Sequence, residues 1–132
     1  MVKTLDYEYT YQFCAEKVEA FAKLTGDHAP VHFDTKHALD MGFSDRIVHG
    51  FFVQSVCSTV LGNIFPGPNS VINTCTFKFH LPIYVGDTVK FVFSEIKSSP
   101  AVAAIVIGVS GFSEKTSKKV LSGTVMCSYR KV

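Results

Sequence analysis

The chain has 132 residues, a formal net charge of +2 and a hydrophobic content of 47%, with 12 Phe, 5 Tyr and no Trp. A chain of that length forms a single domain, here 1–132, and buries roughly two thirds of its unfolded surface. The composition excludes a disordered chain, and the weak charge, with lysines scattered over strands and turns, excludes a nucleic-acid surface.

At the start, Asp6 and Glu8 stand where a secretion signal needs an apolar run. The longest clean apolar run, Ala101 to Val109, is far short of the ~20 residues of a membrane-spanning helix. The expectation is a cytoplasmic protein with no membrane partner. Cys14, Cys57, Cys75 and Cys127 are widely spaced with no Cys-x-x-Cys pair, which fits reduced thiols better than a disulfide frame or a zinc site.

Tyr7 to Phe13 alternates aromatic and polar residues and reads as a short strand or an extended lead-in. Val18, Phe21, Ala22 and Leu24 then repeat at helical spacing, with Glu16, Lys17, Glu19 and Lys23 on the other face and Gly26 as a stop. Pro30 forbids a continuing helix, so the segment from His28 to His32 is irregular. A short helix follows from about Thr35 to Met41, with Asp34 or Thr35 as its cap and Gly42 at its end. From Gly50 to Leu61 the chain is apolar on nearly every face and reads as a buried helix. The Pro/Gly-rich stretch from Asn63 to Ser70 ends it.

The remainder reads as strand: Val71 to Leu81, Thr88 to Lys97, Ala101 to Ser113 and Lys119 to Arg130. Four strands in succession suggest an antiparallel meander. The fold expected is α+β, a curved antiparallel sheet wrapped around one long central helix. Such a sheet leaves an edge strand exposed, and proteins seldom leave a long one unprotected, so a homodimer pairing sheets edge to edge is expected.

Thr25-Gly26-Asp27-His28-Ala29-Pro30-Val31-His32 places a carboxylate and an imidazole five residues apart across a Gly/Pro loop. Asp27 and His32 can hold one water between them and exchange its protons, work that suits both residue types. Gly50 opens the apolar helix, where free main-chain N–H groups and the helix dipole favour negative charge; its N–H is a natural oxyanion donor. His28 and His32 do not read as a metal pair, because Pro30 breaks helical spacing and no carboxylate cluster joins them. No metal and no cofactor are expected.

Leu24-Thr25-Gly26-Asp27-x-x-Pro30-Val31-His32, then Ile47-Val48-His49-Gly50 with the apolar helix, then Phe79-x-Leu81-Pro82-x-x-x-Gly86-Asp87 resembles the MaoC-like, R-specific enoyl-CoA hydratase family of hotdog-fold proteins. The resemblance covers about residues 8 to 130. One position departs from it: Ala29 stands where the family has Asn. The resemblance implies a hydratase acting on trans-2-enoyl thioesters of coenzyme A or acyl carrier protein, reversibly a 3-hydroxyacyl dehydratase, with Asp27 and His32 as its catalytic pair. It also implies that Ser58 hydrogen-bonds and orients Asp27, and that Leu61 lines the acyl pocket, which Phe51 and Phe52 would narrow for a short or medium acyl group. His49 is expected to shape the turn before the helix beside the substrate.

Plainer readings stand beside these. Asp27 can be an Asx-type loop residue after a helix-ending Gly, His32 a hydrogen-bonded structural imidazole, and Ser58 a hydroxyl bonded back to its own helix, with Ser55 the substitute. Lys115, Lys118 and Lys119 can attract coenzyme A phosphates or an acidic carrier, or merely solvate a turn. At the level of function, a hotdog thioesterase and a non-catalytic acyl-thioester binding module are the alternatives.

Overall fold

A computed structural model describes residues 6–130; the part of the N-terminal reading that rests on Met1 to Leu5 lies outside them. Five strands, β1 (Tyr7–Gln12), β2 (Ser70–Phe79), β3 (Thr88–Ser99), β4 (Ala104–Ser113) and β5 (Lys119–Tyr129), form one antiparallel sheet. Three helices, α1 (Ala15–Thr25), α2 (Thr35–Asp40) and α3 (Gly50–Asn63), complete the fold. The expected sheet wrapped on a central helix is present.

Period-two patterning builds the inner face of the sheet. Val89, Phe91 and Phe93 on β3 and Ile105, Ile107 and Val109 on β4 are buried, with less buried residues between them. Onto this face α3 lays Phe52, Val53, Val56, Cys57, Val60 and Leu61, all buried, at the spacing of one helical stripe. Phe13, Phe21 and Phe52 close the end near β1, with Phe13 and Phe52 edge to face at 5.1 Å. A Leu-to-Ala change in such a core costs about 2–5 kcal/mol.

Two expectations are corrected. The sheet order is β1-β3-β4-β5-β2, so β2 does not begin a meander; it pairs with β5, Ser70 opposite Tyr129 and Phe79 opposite Leu121. Both sides of β3 are already taken, by β1 and β4. The connection over residues 80–87 therefore crosses from one edge of the sheet toward the other. Along the way His80 N–H donates to Val120 O, Val48 N–H to Ile83 O, and Gly86 N–H to Phe13 O. Second, α3 is not buried all round: Phe51 is 76% exposed, and Ser55, Ser58 and Thr59 are exposed too. The chain's own sheet covers only one side of this helix.

Along β2 nearly every residue is exposed, Val71, Ile72 and Phe79 included. No helix of the described residues is long and apolar enough to cross a membrane.

Candidate active site

Helix α1 ends where Gly26 takes the left-handed conformation, φ 83°, and donates its N–H to Ala22 O. Glycine adopts that backbone without steric cost. The chain turns out of the helix there and delivers Asp27. Ala29 N–H donates to Asp27 Oδ1 at 3.3 Å, so the Asx turn is present, but it engages only one carboxylate oxygen. Pro30 opens a single 3-10 turn, Pro30–His32, its fixed φ suiting a first helical position. The turn swings His32 back toward Asp27 and buries it to 8% exposure.

His32 Nδ1 lies 2.8 Å from Ile47 O. A carbonyl only accepts, so Nδ1 carries the proton in the neutral ring and Nε2 is left as a bare lone pair. The carbonyl is itself fixed, because Ile47 N–H donates to Val31 O and Ile47 bridges Tyr84 of the 80–87 connection. The same logic applies to His49, whose Nε2–H donates to Asp27 O at 3.0 Å and whose buried Nδ1 has no hydrogen-bond partner. Its ring is 1% exposed and stacks on His32 at 3.8 Å between centroids. Burial away from water lowers its pKa below the usual histidine value, and the protonated form of His32 would add to this. Its bond to Asp27 opposes them without reversing the shift.

A carboxylate oxygen of Asp27 and ring nitrogens of His32 and His49 lie within 4.8 Å of one another. Among the described residues, this is the one cluster with the donor types for a metal ion. One nitrogen of each imidazole is already committed to a backbone carbonyl, so each ring offers a single free nitrogen to the cluster.

Gly50 is the first residue of α3, and its N–H has no backbone acceptor among the described residues. Its missing side chain matters: a Cβ there would stand 3.3 Å from the ring of Phe79. Beside it opens a cavity of about 370 Å³ lined by Phe43, Val48, Phe79, Leu81, Pro82 and Ile83.

The other expected residues fall elsewhere. Phe51, Ser58 and Leu61 line a separate groove of about 280 Å³ between α3 and β2, together with Ile72, Cys75 and Phe77. Ser58 is exposed on that groove and makes no hydrogen bond to Asp27 among the described residues. Ser55 Oγ–H bonds back to Phe52 O at 2.6 Å, the self-bonding that Ser58 was also read to allow. His49, expected beside the substrate, has its ring contacts with His32, Phe21 and Phe33. Two participants were not read from the sequence. Phe79 lies on a strand, and its approach to Gly50 is set by the crossing connection. The Ile47 carbonyl is main chain, which residue identity does not reveal.

The model of the MaoC like domain matches residues 2–107. The chain belongs to the MaoC-like domain family. Among curated proteins of known name, it is 40% identical over 78 residues to an (R)-specific enoyl-CoA hydratase of Aeromonas caviae, a match covering 59% of this chain and 58% of that protein. It is 35% identical over 79 residues to a 3-hydroxybutyryl-CoA dehydratase of Methylorubrum extorquens, covering 60% of this chain and 50% of that one. The chain thus spans about half the length of the curated relatives it matches. Among solved structures, the (R)-hydratase from A. caviae involved in PHA biosynthesis superposes with a TM-score of 0.88 at 25% identity, covering 98% of both chains. This MaoC-like domain has the hotdog fold, α+β as expected.

Proposed function

We propose that this MaoC-like domain, a single domain over 1–132, is an R-specific 2-enoyl-thioester hydratase, working in reverse as a 3-hydroxyacyl-thioester dehydratase. The observation that carries the reading is the cluster of the Asp27 carboxylate with the imidazole of His32, beside a helix whose first N–H, at Gly50, has no backbone acceptor. Relatives named as hydratases and dehydratases of acyl-CoA or acyl carrier protein thioesters support it.

The reaction adds water and transfers no electrons. A water held between Asp27 and the bare Nε2 of His32 gives up a proton as its oxygen bonds C3 of the enoyl group. The C2=C3 π pair moves toward the thioester, and the negative charge reaching the carbonyl oxygen is met by the Gly50 N–H and the positive end of α3. A proton held by the pair then returns to C2, so one water has been added and both side chains are restored. His49 stands behind this pair as a neutral ring. The acyl chain runs into the groove lined by Phe51, Ser58 and Leu61, which suits a short or medium group.

A second copy of the chain completes the assembly. Val71 and Ile72 are exposed on β2, which pairs only with β5, the kind of apolar strand edge that sheet pairing covers. All four cysteines are free thiols, in keeping with a reducing compartment such as the cytoplasm.

Hydration of crotonyl-CoA, followed by loss of the conjugated thioester absorbance, tests the reading. Wild type should turn over, and Asp27→Asn and His32→Ala should each lose at least ~100-fold in kcat. Wild type inert on crotonyl-CoA, on longer enoyl-CoAs and on enoyl carrier protein would overturn it, and thioester binding without turnover would then identify a binding module.

A further inference from the structure

A thioester held at Gly50 has two arms, and only the acyl arm is accounted for by the groove between α3 and β2. The cavity on the other side of Gly50, lined by Phe43, Phe79, Leu81 and Pro82, adjoins a second one of about 320 Å³ lined by Leu81, Pro82, Asp87, Lys115, Thr116 and Lys118. Leu81 and Pro82 line both. A path therefore leads from the oxyanion position over an apolar shelf to the tip of the β4–β5 hairpin.

The charge at that tip is net positive, with Lys115, Lys118 and Lys119 set against Glu114 and Asp87. Lys115 and Lys118 are exposed, and the ion pairs among the described residues, Lys36 with Asp40 and Lys90 with Glu8, include neither. Two carboxylates lie close by in the fold. Asp87 Oδ2 accepts from Tyr84 N–H at 2.9 Å, and Glu114 lines a different cavity, with Lys90 and Phe112. The third lysine, Lys119, lies over the Phe112 ring at 5.8 Å. The hairpin itself is firmly built. Ser113 N–H donates to Lys118 O and Ser117 N–H to Ser113 O, while Lys118 N–H bonds Thr116 Oγ1 at 3.3 Å. The Lys118 backbone is thus held at both its N–H and its carbonyl, and Lys115 lies within the same bonded turn.

We infer that Lys115 and Lys118 form a phosphate subsite for the carrier end of the thioester, with the apolar shelf at Phe79, Leu81 and Pro82 seating the pantetheine arm between it and Gly50. This rests on the hydratase reading for the identity of the substrate. The shared chemistry is the phosphate that ends the pantetheine arm, whether in coenzyme A or on a carrier protein.

The test compares crotonyl-CoA, crotonyl carrier protein and phosphate-free crotonyl-pantetheine in wild type, Lys115→Ala/Lys118→Ala and Lys115→Arg/Lys118→Arg. The alanine pair should lower the preference for a phosphate-bearing substrate over crotonyl-pantetheine about tenfold, through KM, as expected for losing two exposed charge contacts. The arginine pair should restore it, and ~1 M salt should abolish the difference. Whichever phosphate-bearing substrate responds identifies the carrier. An unchanged preference for both would overturn the subsite. If wild type turns over none of the three, the hydratase reading fails, and calorimetric binding of free coenzyme A decides the subsite alone. Binding about tenfold weaker in the alanine pair sustains it, and equal binding overturns it.

Discussion

His32 and His49 lie ring on ring, 3.8 Å between centroids and 28° between planes, and each is pinned by a different backbone carbonyl, that of Ile47 and that of Asp27. One buried imidazole thereby braces both the loop that carries Asp27 and the ring of His32. His49→Phe keeps the stack and removes the Nε2–H donated to Asp27. It should lower kcat about tenfold or more with a smaller change in KM, since misplacement of a catalytic group costs that much.

The same residue gives a pH dependence. Desolvation by burial holds the pKa of His49 below its ordinary value, against the opposing bond to Asp27. The unfolded chain therefore binds that proton more readily than the native one. The stability His49 carries is complete above the unfolded value of about 6.5 and is lost as pH falls below it. Denaturant unfolding at about pH 7.5 and about pH 5.5 should show a larger acid loss in wild type than in His49→Phe. Equal losses would mean that His49 is not kept neutral in the folded protein.

Ala29 is the N-cap of the 3-10 turn and supplies no side-chain cap. Asn is among the best residues at such a position, and a gained cap is worth about 0.5–2 kcal/mol. Ala29→Asn should therefore raise the thermal midpoint and raise kcat by steadying the Asp27 loop. A lower kcat would show that the loop needs its present freedom.

Gly50→Ala leaves the N–H in place but sets a methyl 3.3 Å from Phe79. The ring must give by a few tenths of an ångström, into the cavity that the thioester approaches. The variant should fold and lose about tenfold in kcat/KM, roughly the effect of one methyl in a close-fitting site. Adding Phe79→Ala should recover part of that loss.

Gly123 on β5 faces Phe77 on β2, and an added Cβ would meet the Phe77 ring and the Thr76 carbonyl at 2.6 Å. Gly123→Ala should cost about 1–3 kcal/mol, the usual range for overpacking. Because β2 is held in the sheet by β5, the variant should also weaken the proposed self-association, measured by sedimentation.

The sequence by itself determined the local features. Gly26 ended α1, Pro30 broke the loop, Asp34 or Thr35 was to cap α2, of which His37 N–H picks Asp34, and the alternation in β3 and β4 marked the core face. These are consequences of backbone sterics and period, which act within a few residues. It also placed Asp27, His32 and Gly50 in their motif, because each owes its position to such a local turn. Only the tertiary structure decided the rest. That β2 lies beside β5 follows from both sides of β3 being occupied, a competition between segments far apart in the chain. The exposure of Ser58 on the α3–β2 groove, the stacking of His49 on His32 and the approach of Phe79 to Gly50 follow in turn from how α3 lies on the sheet and where the 80–87 connection crosses. Such contacts join residues that share no period, so no pattern along the chain records them.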